Sequence, residues 1–260
     1  VANRRARIAA EYGSLSASDL ERLAAAGRPA RDFTAALAGR NDVAVIAEVK
    51  KASPSAGAIA PDCEASKQAL HYANGGAAAI SVLTEPEQFG GSWTDLSDVC
   101  DAVDVPVLCK DFVVAEPQLF AARGCGADAV LLMVSVLGDR TPAYADLART
   151  LGLEPLVEVV SLAELETARA AGARVVDVNS RDLRTLAVDA DAAGAAVWGA
   201  ARAGVTRVFA SGVSTREDVE AAAACGADAV LVGESLMRAA YPEDLLAELT
   251  GVRKSGAPVR

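Results

Sequence analysis

The sequence predicts a closed parallel (β/α)8 barrel, and three observations carry that prediction. Eight short apolar or β-branched runs alternate with Ala-rich helical stretches. Several helical stretches end in Ala-Gly or Cys-Gly immediately before the next apolar run, as in Gly124-Cys-Gly-Ala-Asp-Ala129 and Cys225-Gly-Ala-Asp-Ala229; glycine in the left-handed conformation closes a helix there. The chain has 260 residues, close to the ~250 typical of this barrel. The competing reading is a doubly wound open sheet. It lacks support because no Gly-x-Gly-x-x-Gly follows the first strand.

In chain order, residues 1–42 read as a helical extension. Ser16-Ala-Ser-Asp-Leu-Glu-Arg-Leu23 has a capping start and amphipathic spacing, and Pro29 and Asn41-Asp42 punctuate the region. The barrel proper is expected over 43–250, as one domain. Its strands are expected at Val43–Lys50, Ala78–Leu83, Val105–Lys110, Ala129–Val134, Pro155–Val160, Val175–Asn179, Thr206–Ala210 and Ala229–Val232. Near-continuous apolar strands are buried on both faces, so helices must cover the outside.

Hydrophobic residues make up 52% of the chain, enough for a sizeable core. No apolar run approaches the ~20 residues of a membrane helix. Val1-Ala-Asn-Arg-Arg-Ala-Arg7 is basic, but no apolar segment follows it, so no signal peptide is expected. Five scattered cysteines, odd in number and without metal-ligand spacing, point to reduced thiols in a cytoplasm. One histidine, His71, makes a His-based metal site or a Ser/His triad improbable. The net charge of −10 argues against non-specific nucleic-acid binding. Neither a metal nor an organic cofactor is implied, and the expected state is a monomer or weak dimer.

The chemistry is expected where charge interrupts the buried strands. Alternate side chains of a strand face opposite sides. Glu48 and Lys50 therefore share the inner face of strand 1 with Ala44 and Ile46. Lys110 follows Leu108 inward on strand 3, Glu158 follows Leu156 on strand 5, and Asp177 and Asn179 share the inner face of strand 6. One buried ion pair is commonly structural. Four strands each ending in a charge or amide at matching height point to a site at the carboxyl ends of the strands. Ala210-Ser-Gly-Val-Ser-Thr215 and Val232-Gly-Glu-Ser-Leu-Met237 follow the last two strands. Small residues there, and a short helix starting near Glu234, suit a phosphate. The residues alone thus imply a phosphorylated small-molecule substrate, a lysine acid and a carboxylate partner.

With these elements in place the chain resembles the indole-3-glycerol-phosphate synthases of tryptophan biosynthesis, from Arg31-Asp-Phe33 to Leu236-Met237. The motifs that carry the resemblance are Glu48-Val-Lys50-Lys-Ala-Ser53-Pro-Ser-Ala-Gly57, Ser81-Val-Leu-Thr84, Phe89-Gly-Gly-Ser92, Lys110-Asp-Phe112, Val157-Glu158-Val159, Val178-Asn179-Ser-Arg181-Asp-Leu183 and Gly233-Glu-Ser-Leu-Met237. The resemblance implies a lyase that closes the ring of 1-(2-carboxyphenylamino)-1-deoxyribulose 5-phosphate with loss of carbon dioxide and water. It implies Lys110 as general acid, Glu158 as acid/base partner, and Glu48 and Lys50 as groups that orient the lysine and bind anionic parts of the substrate. Asn179 and Arg181 would position a hydroxyl and the carboxylate. Phe89, Phe112 and Leu131 would line the aromatic pocket, and Ser53, Ser211, Gly212, Gly233, Glu234 and Ser235 would surround the phosphate.

The sequence also departs from that family. Ala210 stands where relatives carry a catalytic glutamate, and Asp177 stands where glycine is usual. Two readings stand side by side: Asp177 turns away at a bulge and the charge is simply missing, or Asp177 replaces the lost carboxylate in part. Ala56, Cys109 and Val160 replace a common lysine, arginine and histidine. A neighbouring carboxylate favours a protonated lysine, so its loss should lower the Lys110 pKa relative to relatives. Two other functions compete with an active synthase: a paralogue acting on a modified anthranilate derivative, and a non-catalytic phosphate-binding barrel.

Overall fold

The computed structural model describes residues 1–179, 199, 204–210 and 212–255. Eight parallel strands close into a barrel: β1 (Ala44–Val49), β2 (Ala79–Leu83), β3 (Val107–Lys110), β4 (Ala129–Met133), β5 (Glu154–Val159), β6 (Val175–Asn179), β7 (Thr206–Ala210) and β8 (Ala229–Val232). The eight strands fall on the eight apolar runs, with ends shifted by a residue or two. β1 closes the ring by pairing with β2 on one side and β8 on the other.

Alternation sorts the side chains as expected. Val45, Ala47, Val49, Val82, Val107, Val130, Leu132, Val230 and Val232 face outward into one apolar layer beneath the helices. Ala44, Ile46, Leu108, Ala129, Leu131, Leu156, Val175, Val208, Ala210 and Leu231 fill the barrel interior. Burying each large aliphatic side chain contributes ~1.5–3 kcal/mol, so a shift by one residue would exchange the two layers and is disfavoured.

The same device recurs a hundred residues apart at the amino-terminal end of the barrel. Asp128 accepts a hydrogen bond from the Val107 amide at 2.7 Å, and Asp228 accepts one from the Arg207 amide at 3.0 Å. Both aspartates follow a glycine with positive φ, Gly126 and Gly226 at 88°, where a Cβ would be strained. Arg28 pairs with Asp128, and Arg207 with Asp228.

The extension forms three helices, α1 (Ala2–Tyr12), α2 (Ala17–Ala25) and α3 (Phe33–Ala38). α1 and α3 occupy opposite ends of the barrel. Phe33 and Leu37 of α3 join the interior cluster and plug the amino-terminal end. α1 lies across the carboxyl-terminal mouth, with Arg4, Ile8 and Tyr12 buried on one face. One short element differs from the expected loop after β1. Ala52–Ser53 and Gly57–Ala58 pair as a small antiparallel hairpin. The Ser53 hydroxyl accepts from the Ala56 amide at 3.1 Å and closes its turn.

Candidate active site

The charged residues of β1, β3, β5 and β6 meet at one height, at the carboxyl end of the barrel. Glu48 is the bridge. Its Oε1 lies 3.1 Å from Lys50 Nζ, its Oε2 lies 3.0 Å from Lys110 Nζ, and the Ser81 hydroxyl donates to Oε2 at 3.4 Å. Burial alone would push the Glu48 carboxyl up; Lys110 and Lys50 outweigh it and pull it down to about 2. Burial would also discharge Lys110. The surrounding Glu48, Asp177 and Glu158 outweigh burial and hold its ammonium above the ordinary lysine value.

Glu158 and Asp177 stand side by side in register on β5 and β6. Glu158 is 3% exposed and its Oε1 has no hydrogen-bond partner, while Asn179 bonds its side chain. Burial pushes its pKa up, with Lys110 and Asn179 opposing. Asp177 is 0% exposed, and neither of its oxygens has a partner. Burial first, then the adjacent Glu158, push its carboxyl up to about 8. Asp177 therefore points into the barrel, on a regular strand, and the alternative of an outward bulge is excluded. It lies beneath the floor of the cavity and does not line it.

Above this floor opens a cavity of about 1060 Å³. Glu48, Lys50, Lys110, Glu158 and Asn179 form its base. Leu83, Phe89, Phe112, Leu131, Met133 and Leu231 form an apolar wall, in which the Phe89 and Phe112 rings lie 6.0 Å apart at 54°. Ser53, Gly212, Gly233, Glu234, Ser235 and Arg238 complete the lining. Gly233 is needed there for space. A Cβ on it would come within 2.7 Å of Glu48 Oε1 and 3.0 Å of Lys50 Nζ. The Ser235 hydroxyl is buried without a partner. Glu234 pairs with Arg238 at 3.0 Å. Ala210 is buried in the interior cluster beside Asn179 in register and adds no charge. Arg181 and Ser211 lie outside the described residues.

Several cavity residues carried no expectation. Val1, Asn3 and Arg4 of the extension reach the rim. Arg4 Nε donates to Asp111 Oδ1 at 2.9 Å, a second guanidinium nitrogen meets Oδ2, and the Thr84 hydroxyl donates to Oδ2 at 2.9 Å. The guanidinium also lies 5.8 Å from the centroid of the Trp93 ring, within cation–π range. The four-residue spacing of Arg4, Ile8 and Tyr12 was the available signal for a buried helix face. Leu231 and Met133 were legible by alternation with Ala229 and Leu131. Among the described residues no cluster of His, Cys, Asp or Glu could hold a metal ion. Nor is any described helix long and apolar enough to cross a membrane.

Fold and site together define a (β/α)8-barrel protein whose ionised strand ends form the base of a small-molecule pocket. Comparison with known proteins narrows this class. The chain belongs to the indole-3-glycerol phosphate synthase family, whose profile matches residues 1–249. It is 49% identical over 232 residues to the indole-3-glycerol phosphate synthase of Micrococcus luteus, covering 87% of this chain and 86% of that protein. It is 46% identical over 248 residues to indole-3-glycerol phosphate synthase 1 of Streptomyces coelicolor, covering 94% and 91%. A solved structure of 3-hexulose-6-phosphate synthase shares the fold, with a TM-score of 0.64 at 20% identity over 80% of this chain and 98% of that one.

Proposed function

We propose that this chain converts 1-(2-carboxyphenylamino)-1-deoxyribulose 5-phosphate to indole-3-glycerol phosphate, carbon dioxide and water. The observation that carries the reading is the meeting of Lys110 and Glu158 in one cavity, with Glu48 bridging both lysines. The family relationship and the names of the relatives support it.

In this reading the phosphate rests on Ser53, Gly212, Gly233, Ser235 and the backbone of Glu234; the family resemblance adds Ser211, which lies outside the described residues. The aromatic ring lies against Phe89, Phe112 and Leu131. Asn179 and Arg181 position a hydroxyl and the carboxylate. The ring carbon bearing the carboxylate attacks the ribulose carbonyl, and Lys110 protonates the oxygen as its charge develops. An ammonium fixed in a low-dielectric cavity stabilises that charge strongly. Loss of carbon dioxide restores the aromatic ring. Glu158 then removes a proton from the methylene beside nitrogen as the protonated hydroxyl leaves as water. The oxygen gains two protons, the methylene gives one, and each turnover therefore takes up one proton.

The described lining of the cavity, including Lys110 and Glu158, comes from one chain, which supports a monomer or weak dimer. All five cysteines are free, which supports a cytoplasmic location. Residues 1–42 act in this proposal as an extension of a single 43–250 barrel domain. Incubating the purified protein with the substrate tests the activity. Indole fluorescence should appear at a rate proportional to enzyme; folded protein that produces none refutes the reading. Gly233→Ala is expected to lower kcat/KM by about 10–100-fold, because the new methyl displaces the Glu48–Lys50 pair and small misplacements are costly. Steady-state kinetics on the variant would read this, and a wild-type value would show that the pair can move without consequence.

A further inference from the structure

Asp177 is the one fully buried carboxylate among the described residues with both oxygens unpartnered. A buried ion without donors is expensive, and such a group takes a proton instead. Its surroundings can be enumerated. Glu158 acts on it from β5, Lys110 from β3 and Glu48 from β1; Glu48 in turn holds Lys50 at 3.1 Å, and Asn179 follows two residues on along β6. Val208, its register partner on β7, is apolar. Three carboxylates and two ammoniums leave this group one negative charge in excess when all are ionised. A single proton makes it neutral. Glu48 already engages both lysines, so the proton belongs to Glu158 and Asp177. Glu158 Oε1, also without a partner, is the acceptor that an Asp177 hydroxyl lacks.

We propose that Asp177 is a positioning residue that shares one proton with Glu158 across the β5–β6 register, and that this proton sets the ionisation with which Glu158 meets the substrate. The proposal rests on the synthase reading for its catalytic consequence and on geometry alone for the shared proton. Asp177 does not touch the substrate and is not consumed. While it stays neutral, Glu158 carries the single negative charge of the pair. When it ionises, a second charge appears beside Glu158 and Lys110, and both hold protons more tightly. The proton then leaves Lys110 less readily, so protonation of the substrate oxygen slows, while Glu158 stays ionised because the pair has given up its only proton.

Asp177→Asn keeps the shape and the donor and removes the titration. Wild-type kcat should fall on the alkaline side near pH 8, where the Asp177 carboxyl ionises, and that limb should be absent from D177N. In D177N kcat at neutral pH should drop by no more than about 10²-fold, with KM unchanged. A second measurement needs no turnover. The folded wild type keeps a proton that the unfolded chain releases above 3.8, so its stability declines as pH rises from there to about 8. The melting temperature of D177N should therefore exceed that of wild type by a margin that widens across that range and then levels. In a Glu158→Gln background, without the neighbouring charge, the levelling should come at lower pH. An unchanged alkaline limb in D177N, a margin independent of pH, or a levelling point unmoved by E158Q would each overturn the proposal. A widening margin in a protein that forms no indole would leave the shared proton standing and refute the synthase reading.

Discussion

Lys110→Met is expected to lower kcat by about 10³-fold, the middle of the range for losing a well-placed acid. The side chain keeps its length and its apolar stem and loses only the ammonium. That ammonium lies 3.0 Å from Glu48 Oε2 at the base of the cavity. In the proposed reaction it is the cation nearest the carbonyl oxygen. Its loss removes both the proton donor and the charge that stabilises the alkoxide. Glu48 keeps Lys50 at 3.1 Å, so the variant should fold. The Glu48 carboxyl should move up from about 2, because burial then faces one cation instead of two. Phosphate and ring contacts are untouched, so KM should stay near the wild-type value. Indole fluorescence under saturating substrate measures the loss. A decline of less than tenfold would mean that another group delivers the proton.

The largest effect on stability is expected one residue beyond Lys110, where Arg4 of α1 pairs with Asp111. Arg4→Met should destabilise the protein by about 3–5 kcal/mol, the usual cost of stripping one partner from a buried ion pair. Both side chains are buried, at 3% and 0% exposed. Burial pushes the Asp111 carboxyl above its ordinary value even with Arg4 in place. Without the guanidinium that carboxylate keeps only the Thr84 hydroxyl. The double change Arg4→Met, Asp111→Leu should recover much of the loss, since an apolar replacement of a buried pair is often neutral. Urea unfolding of both variants is the measurement, with activity alongside, because α1 forms part of the cavity rim. A loss below about 1 kcal/mol in the single variant, typical of exposed pairs, would show that α1 swings free of the mouth.

The barrel was legible because its strands are buried on both sides, so any charge in them is conspicuous. Glu48, Lys50, Lys110 and Glu158 stood out for that reason, and their shared height followed from alternation alone. The end of β8 was readable in the same way: Ala229 and Leu231 point inward, so Gly233 does too. The Arg4–Asp111 contact was not, because it joins residues 107 positions apart through the docking of a helix whose amino-terminal residues read only as basic. The hairpin at 52–58 escaped because two-residue strands carry no periodicity. Asp177 was legible as an inward carboxylate, but its want of any donor depends on where every neighbouring side chain settles.

Ring closure also has a temporal side. β1, which supplies Glu48, is bonded to β8 from Ala44↔Ala229 to Ala47↔Val232, and Gly233 packs against the Glu48–Lys50 pair. A chain growing on the ribosome makes its first strand near the start and the neighbour that closes it nearly two hundred residues later. Until then one edge of β1 has no partner, and the two lysines lack a wall. The apparatus at the top of the barrel is thus among the last parts of the molecule to assemble, long after most of its residues have been synthesised.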